Sequence, residues 1–262
     1  MANRYQAIIE AIFVAHFQPG LRQFPFERQE IEDVAARLNI RLPKNLGDLI
    51  YSFRYRAELP ISIRQTAPSG QTWVIRPLGR SRYSFVLVRD LPMRPNPALV
   101  ETKIPDSTPG IIAQYALNDE QALLTKLRYN RLIDIFTGVT CYLLQSHLRT
   151  TVPEVGQVET DEIYVGIDRR GIQYILPVQA KGGTDRLSII QIEQDFAMCA
   201  HKFPQLLCRP IGAQFIDAQL IALFEYELSE GEVKIALEKH YRLVPPSAIS
   251  PEELQKYRTR LD

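Results

Sequence analysis

Apolar positions in the first ninety residues recur at helical spacing three times and then switch to alternation. From Arg4 to Phe17 the chain is apolar except at positions such as Glu10 and His16, and it stops at Pro19-Gly20, which predicts an amphipathic first helix. A second helix is predicted over about Glu27–Leu38, where Ile31, Val34, Ala35 and Leu38 fall on one face. A third begins near Pro43, a residue that suits the first helical position, and carries Leu46, Leu49, Ile50 and Phe53. Alternation then predicts short strands at Thr72–Arg76 and Tyr83–Val88, joined by Pro77-Leu78-Gly79-Arg80-Ser81. Three helices followed by a hairpin is the order of a winged helix-turn-helix.

The pattern breaks between Leu91 and Gly110, where Pro92, Pro95, Pro97, Pro105 and Pro109 exclude a helix or central strand and predict an extended linker. Beyond it, helical spacing predicts a long helix over about Asp119–Leu148, with Asp119 and Glu120 suited to the positive end of its dipole. Val158–Asp168 and Ile172–Lys181 read as two strands around the polar turn Asp168-Arg169-Arg170-Gly171. A helix over Leu187–His201 follows, with Gln191, Glu193, Gln194 and Asp195 read as its solvated face, then strands at Leu206–Gln214 and Ala218–Leu228. A tail with Pro245, Pro246 and Pro251 is expected to wrap the surface. The expected organisation is an N-terminal domain over 1–90, a proline-rich linker over 91–112 and an α/β domain with a mixed sheet over 113–262.

Charge sharpens this division. The chain of 262 residues has a formal net charge of +1, yet Val34–Asp90 holds ten Arg or Lys against three acids, a local +7. A basic segment in a nearly neutral chain is the footprint of a phosphate-contacting module. If the third helix enters a major groove, Arg41 and Lys44 can donate to guanine and Asn45 can pair with adenine. Arg80 and Arg82, at the hairpin loop, stand where a wing meets phosphate. Trp73 is assigned to the small core rather than to stacking on a base. No apolar run approaches the roughly 18–20 residues of a membrane span. The apolar stretch Ala7–Phe17 reads as a helix and not as a signal peptide, and Cys141, Cys199 and Cys208 lack zinc spacing and fit reduced thiols, so a cytoplasmic protein is expected. With no glycine-rich phosphate loop, no nucleotide cofactor is implied.

The chemistry concentrates in Glu159-Thr160-Asp161-Glu162 and Val178-Gln179-Ala180-Lys181-Gly182-Gly183. Folding the chain about Arg169–Arg170 sets Asp161 opposite residue 178 or 179. Strand alternation then puts Gln179 and Lys181 on one face and Glu159 with Asp161 on one face. A patch holding a carboxylate or two, an amide oxygen and an ammonium suits phosphodiester hydrolysis. Asp161, Gln179 and the Ala180 carbonyl can offer oxygen ligands to Mg²⁺, and Lys181 can meet the charge that develops on phosphorus. Gly182 and Gly183 allow close approach of a nucleic-acid backbone.

These residues resemble the motif of the PD-(D/E)XK nuclease superfamily, which includes many type II restriction endonucleases and several repair nucleases. Asp161 falls on that family's metal-binding Asp and Gln179-Ala180-Lys181 on its (D/E)XK triplet, and the similarity spans about residues 119–225. It implies a restriction-endonuclease-like mixed-sheet core behind the winged-helix-like domain, Mg²⁺ dependence with Mn²⁺ as a substitute, and catalytic roles for Asp161, Gln179 and Lys181. The chain departs from the pattern at Thr160, which stands where a proline is common, and at Gln179, which replaces an acid and removes a charge from the metal site. Glu159, or Asp134 on the preceding helix, is a candidate to supply the missing carboxylate. Asn130, one turn before Asp134, is a candidate DNA contact. The expectation is a sequence-specific endonuclease on double-stranded DNA, acting as a homodimer. The alternatives are a DNA-repair nuclease and a DNA-binding regulator with an inactive nuclease-like core.

Overall fold

The computed structural model describes residues 5–55, 57–79, 81–91, 93–115, 120–153, 155–182 and 185–259. Arg4, Arg56, Arg80, Pro92, Asp119 and Gly183, on which parts of the expectations rest, lie outside these ranges. The chain divides into two compact units. The first comprises residues 1–92 with 149–159 and 188–201, and the second 93–148, 160–187 and 202–262. Among the described residues no helix is long and apolar enough to cross a membrane.

The first unit runs α1 (Gln6–His16), β1 (Gln23–Glu27), α2 (Arg28–Arg37), α3 (Leu46–Tyr55), a single turn α4 (Ile61–Arg64), β2 (Gln71–Pro77) and β3 (Arg82–Arg89). The spacing of Ile8, Ile9, Ile12 and Phe13 gives α1 one wholly buried face. Phe13 packs edge-on against Phe24, Trp73 and Phe85, with ring centroids 5.1–5.3 Å apart, an arrangement that ring quadrupoles favour. Helix α2 starts with a reciprocal cap in which Glu27 N–H donates to Glu30 at 2.8 Å. The three strands are antiparallel in the order β1-β3-β2, with Phe24 opposite Phe85 and Trp73 opposite Leu87. Strand β1 is absent from the expectation because Gln23-Phe24-Pro25-Phe26-Glu27 is short and holds a proline. Its alternating exposed and buried residues nevertheless give it a core face.

The second unit is built on a mixed eight-stranded sheet. The elements after β3 are β4 (Glu101–Pro105), α5 (Gly110–Tyr115), α6 (Glu120–Tyr129), α7 (Leu132–Thr137), β5 (Thr140–Val152), β6 (Gly156–Ile167), β7 (Gln173–Lys181), α8 (Ile189–Lys202), β8 (Leu207–Cys208), β9 (Ile211–Phe215), β10 (Leu220–Ser229), β11 (Glu232–Val244) and α9 (Pro251–Thr259). The outer part of the β5–β6 hairpin and most of α8 group with the first unit. Strand order is β4-β11-β10-β9-β7-β6-β5, with β8 beside β7. β6–β7, β9–β10 and β10–β11 pair antiparallel, whereas β7–β9 and β11–β4 pair parallel. Leu123, Leu124 and Leu127 of α6 and Leu132, Ile133 and Phe136 of α7 cover the face that carries Leu176, Val178, Ala180, Ile211 and Leu223.

Three expectations are corrected here. The long helix over 119–148 is two short helices and a strand. Gly138 ends α7 in the left-handed region at φ +66°, and the β-prone run Val139-Thr140-Cys141-Tyr142 continues as β5. His147 accordingly sits in a strand, at φ +51°, and not at a helix end. The proline-rich stretch contributes β4, whose five residues join the sheet against β11. The tail does not simply wrap the surface: thirteen of its residues form β11, whose half-buried polar positions hide the alternation.

Candidate active site

Strands β6 and β7 hold the predicted constellation. Glu162 faces Val178 and Ile163 faces Pro177, so continuing the register sets Asp161 against Gln179. The Asp161 carboxylate accepts the Ala180 N–H at 2.8 Å, which ties the middle of β6 to the triplet and fixes the carboxylate's direction. Lys181 is the last residue of β7, and its Nζ lies 4.0 Å from Asp161 Oδ2. Gln179 and Ala180 are fully buried, and both pair along β7 with β9, facing Gly212 and Ala213. The carboxylates beside Lys181 are Asp161 and one that the motif did not indicate.

That second acid is Glu120. It opens α6, and its Oε2 lies 3.5 Å from Lys181 Nζ. Its side chain is 34% exposed, against 11% for Asp161 and 13% for Lys181. Burial, and next the adjacent charge of Asp161, hold the Glu120 carboxyl above the usual carboxylate range, while Lys181 pulls the other way. Two carboxylates thus share one ammonium. The sequence does carry a signal for Glu120, because it stands three, four and seven residues before Leu123, Leu124 and Leu127, the buried stripe of α6. An acid at a core-facing position has an energetic cost that a dipole contact alone leaves unexplained.

The structure employs the other candidates differently. Asp134 accepts the Cys141 N–H at 2.9 Å and pairs with Arg131, which makes it a brace between α7 and β5. The carboxylate of Glu159 pairs with Arg149 at 2.9 Å. Asn130 is buried. Its Oδ1 accepts the Ser107 N–H at 2.7 Å, and its Nδ2 donates to Thr108 Oγ1 and Lys126 O, both at 3.0 Å, so it latches the segment after β4 instead of presenting an amide to DNA. Asn45 also serves the fold: its Oδ1 accepts Gly47 N–H at 3.1 Å and its Nδ2 donates to Asp48 at 2.9 Å, at the start of α3. Arg41, Lys44 and Arg82 are exposed. The residues read as a solvated face on α8 are not one, since Gln194 and Asp195 are buried and Glu193 pairs with Arg76.

Beside Asp161, and turned to the opposite face by strand alternation, Glu162 is fully buried. Burial raises its pKa, offset by the Tyr164 hydroxyl, which donates to it at 2.6 Å, and by Arg128, whose Nε lies 3.1 Å away. Among the described residues no group of three or more His, Cys, Asp or Glu is placed to hold a metal ion. A Mg²⁺ site does not need three, because this ion keeps several waters and binds through one or two carboxylates plus phosphate oxygens. Glu120 and Asp161, the former raised in pKa first by burial and then by its neighbour, would be the two carboxylates of such a donor set. Compared with protein-family models, curated proteins and solved structures, the chain matches none.

Proposed function

We propose that this protein is a Mg²⁺-dependent endonuclease of double-stranded DNA, with its reaction centre at Glu120, Asp161 and Lys181. The observation that carries the reading is the ammonium of Lys181, at the end of β7, standing 3.5 Å from the carboxylate of Glu120 on α6 and 4.0 Å from that of Asp161 on β6. Glu120 and Asp161 would hold the ion, which when bound polarises the scissile phosphate and lowers the pKa of a coordinated water. Asp161 is kept in place by the Ala180 N–H. Lys181 supplies positive charge where negative charge grows on the phosphoryl oxygens, and its N–H groups orient the attacking water. Glu120 takes the place that the sequence reading offered to Glu159 or Asp134. It returns the negative charge lost where Gln179 stands for an acid.

The first unit supports the DNA half of the reading. Its order of helix, strand, two helices, a single helical turn and a hairpin is compatible with a winged helix-turn-helix. Arg41 and Lys44 are exposed just before α3, and Arg82 is exposed at the start of β3. The test is digestion of a mixed DNA library by wild type and by Lys181→Ala. Cutting that needs Mg²⁺ is expected from the wild type. The substitution should reduce it by at least about a hundredfold, as for other losses of a transition-state donor, while DNA binding persists. Equal cutting by both proteins would sink the assignment.

A second reading is favoured by the complete burial of Gln179: a DNA-binding regulator whose nuclease-like core is inactive. It predicts binding with no cleavage in Mg²⁺ or Mn²⁺. Cleavage confined to branched or single-stranded DNA would indicate a repair nuclease instead.

A further inference from the structure

The ammonium of Lys181 is mostly buried and only loosely held. Its side chain is 13% exposed, and Nζ stands 3.5 Å from Glu120 and 4.0 Å from Asp161, at and beyond the outer limit of a hydrogen bond. Strand β9 adds a third polar group. Gln214 is the register partner of Lys181 in the parallel β7–β9 pair, and such neighbours project from the same face of a pleated sheet. Gln214 is 9% exposed. Its Nε2 donates to the Asp185 carbonyl at 3.4 Å, in the segment that follows β7. That bond fixes which end of the amide is the oxygen. The oxygen, Oε1, is buried and has no hydrogen-bond partner among the described residues. A buried acceptor left unmade is costly, so its presence beside an ammonium calls for a reason.

We propose that Gln214 is a positioning residue for Lys181: its amide oxygen takes the ammonium when Glu120 and Asp161 turn to a divalent ion. The inference rests on the reading of the site given above. A dication and an ammonium repel each other, so an ion held by both carboxylates deprives Lys181 of both counter-charges. The flexible four-carbon stem of lysine, with its three rotatable donors, allows the ammonium to turn aside, and the neighbour in register supplies the acceptor. Because an amide is neutral, it holds the ammonium without cancelling its charge, which stays available to the phosphoryl oxygens. Asp161 keeps its direction through the Ala180 N–H and does not need the ammonium for that.

The test is calorimetric titration of Mn²⁺ into the full chain without DNA, arranged as a double-mutant cycle on Lys181→Met and Gln214→Leu. Gln214→Leu should weaken binding of the ion at least about tenfold, the scale of a lost partner behind a metal site. Lys181→Met should bind at least as tightly as the wild type, and adding Gln214→Leu to it should change nothing further. A purely structural Gln214 would weaken binding in both backgrounds alike. That result, or an unchanged affinity in Gln214→Leu alone, overturns the proposal and leaves the metal site standing. A wild type that takes up no Mn²⁺ overturns it together with the nuclease reading. The second measurement needs no change at residue 214. The side-chain amide resonance of Gln214 should shift as Mg²⁺ is added to the wild type and stay in place in Lys181→Met. A resonance that shifts equally in both proteins, or in neither, overturns the proposal even if Gln214→Leu does not fold.

Discussion

Glu120 is the residue on which the proposed chemistry and the stability of the second unit meet. Its folded pKa is raised, by burial first and by Asp161 second, so the protonated form suits the folded state better than the carboxylate does. Stability linked to this group is present below the ordinary carboxylate pKa. It is lost as pH climbs from there through the raised value, and is flat above. Glu120→Gln removes that loss. In chelator, thermal melts from pH 4 to pH 8 should show the variant gaining on the wild type as pH rises and melting higher at pH 7. In Mg²⁺ the same substitution should lower cleavage by about 10–100-fold, the scale of a lost metal-site partner. A variant that melts lower at pH 7 yet cuts normally would remove Glu120 from the site.

Asp161, Gln179 and Lys181 were legible as a set because alternation and hairpin register are local rules. Fold the chain at Asp168–Gly171 and the acid must fall near the triplet. Glu120 was not legible from the motif, being forty residues away on another element, although its place ahead of the Leu123 stripe marked it as core-facing. Asn45, Asn130 and Asp134 show the converse. Each has the chemistry to bind a ligand and is instead held by a backbone N–H: that of the nearby Gly47 for Asn45, that of Cys141 for Asp134, and for Asn130 that of Ser107, which only the fold brings near.

At the scale of elements, β7 and β9 meet where Gln179 faces Gly212. A Cβ at residue 212 would fall 2.7 Å from Leu187 Cδ1 and 2.9 Å from the Tyr226 hydroxyl, and Tyr226 is itself buried. Gly212→Ala should therefore destabilise the protein by about 1–3 kcal/mol, the usual cost of overpacking, read as a lower urea midpoint with unchanged m-value. An unchanged midpoint would mean that Leu187 or Tyr226 can move aside. Elements with a clean apolar period were predicted closely: α1, α2 and the β6–β7 hairpin lie within a few residues of their expected limits. Those whose pattern is mixed were missed. Strand β11 has half-buried polar positions, and β5 is exposed for six residues on both faces. Neither has a buried face regular enough to impose a period of two on the sequence.

For the whole molecule, the small net charge conceals an uneven distribution of charge. The +7 of Val34–Asp90 against a total of +1 predicts that DNA affinity falls steeply with salt even without metal, as counterions return to the duplex. Arg41→Ala and Lys44→Ala should each weaken binding by about 1–3 kcal/mol, relax base preference at the position contacted and lower the slope of log affinity against log salt. A slope indifferent to both substitutions would detach DNA binding from α3. The sequence alone determined the hairpin that carries the triplet, the basic N-terminal segment and the mixed α/β character of the rest, since periodicity, register and charge are properties of neighbouring residues. Tertiary structure decided that Glu120 joins Asp161 at Lys181 and that the proline-rich stretch becomes an edge strand. These depend on which distant segments lie side by side, and burial of apolar surface across the entire chain selects that arrangement.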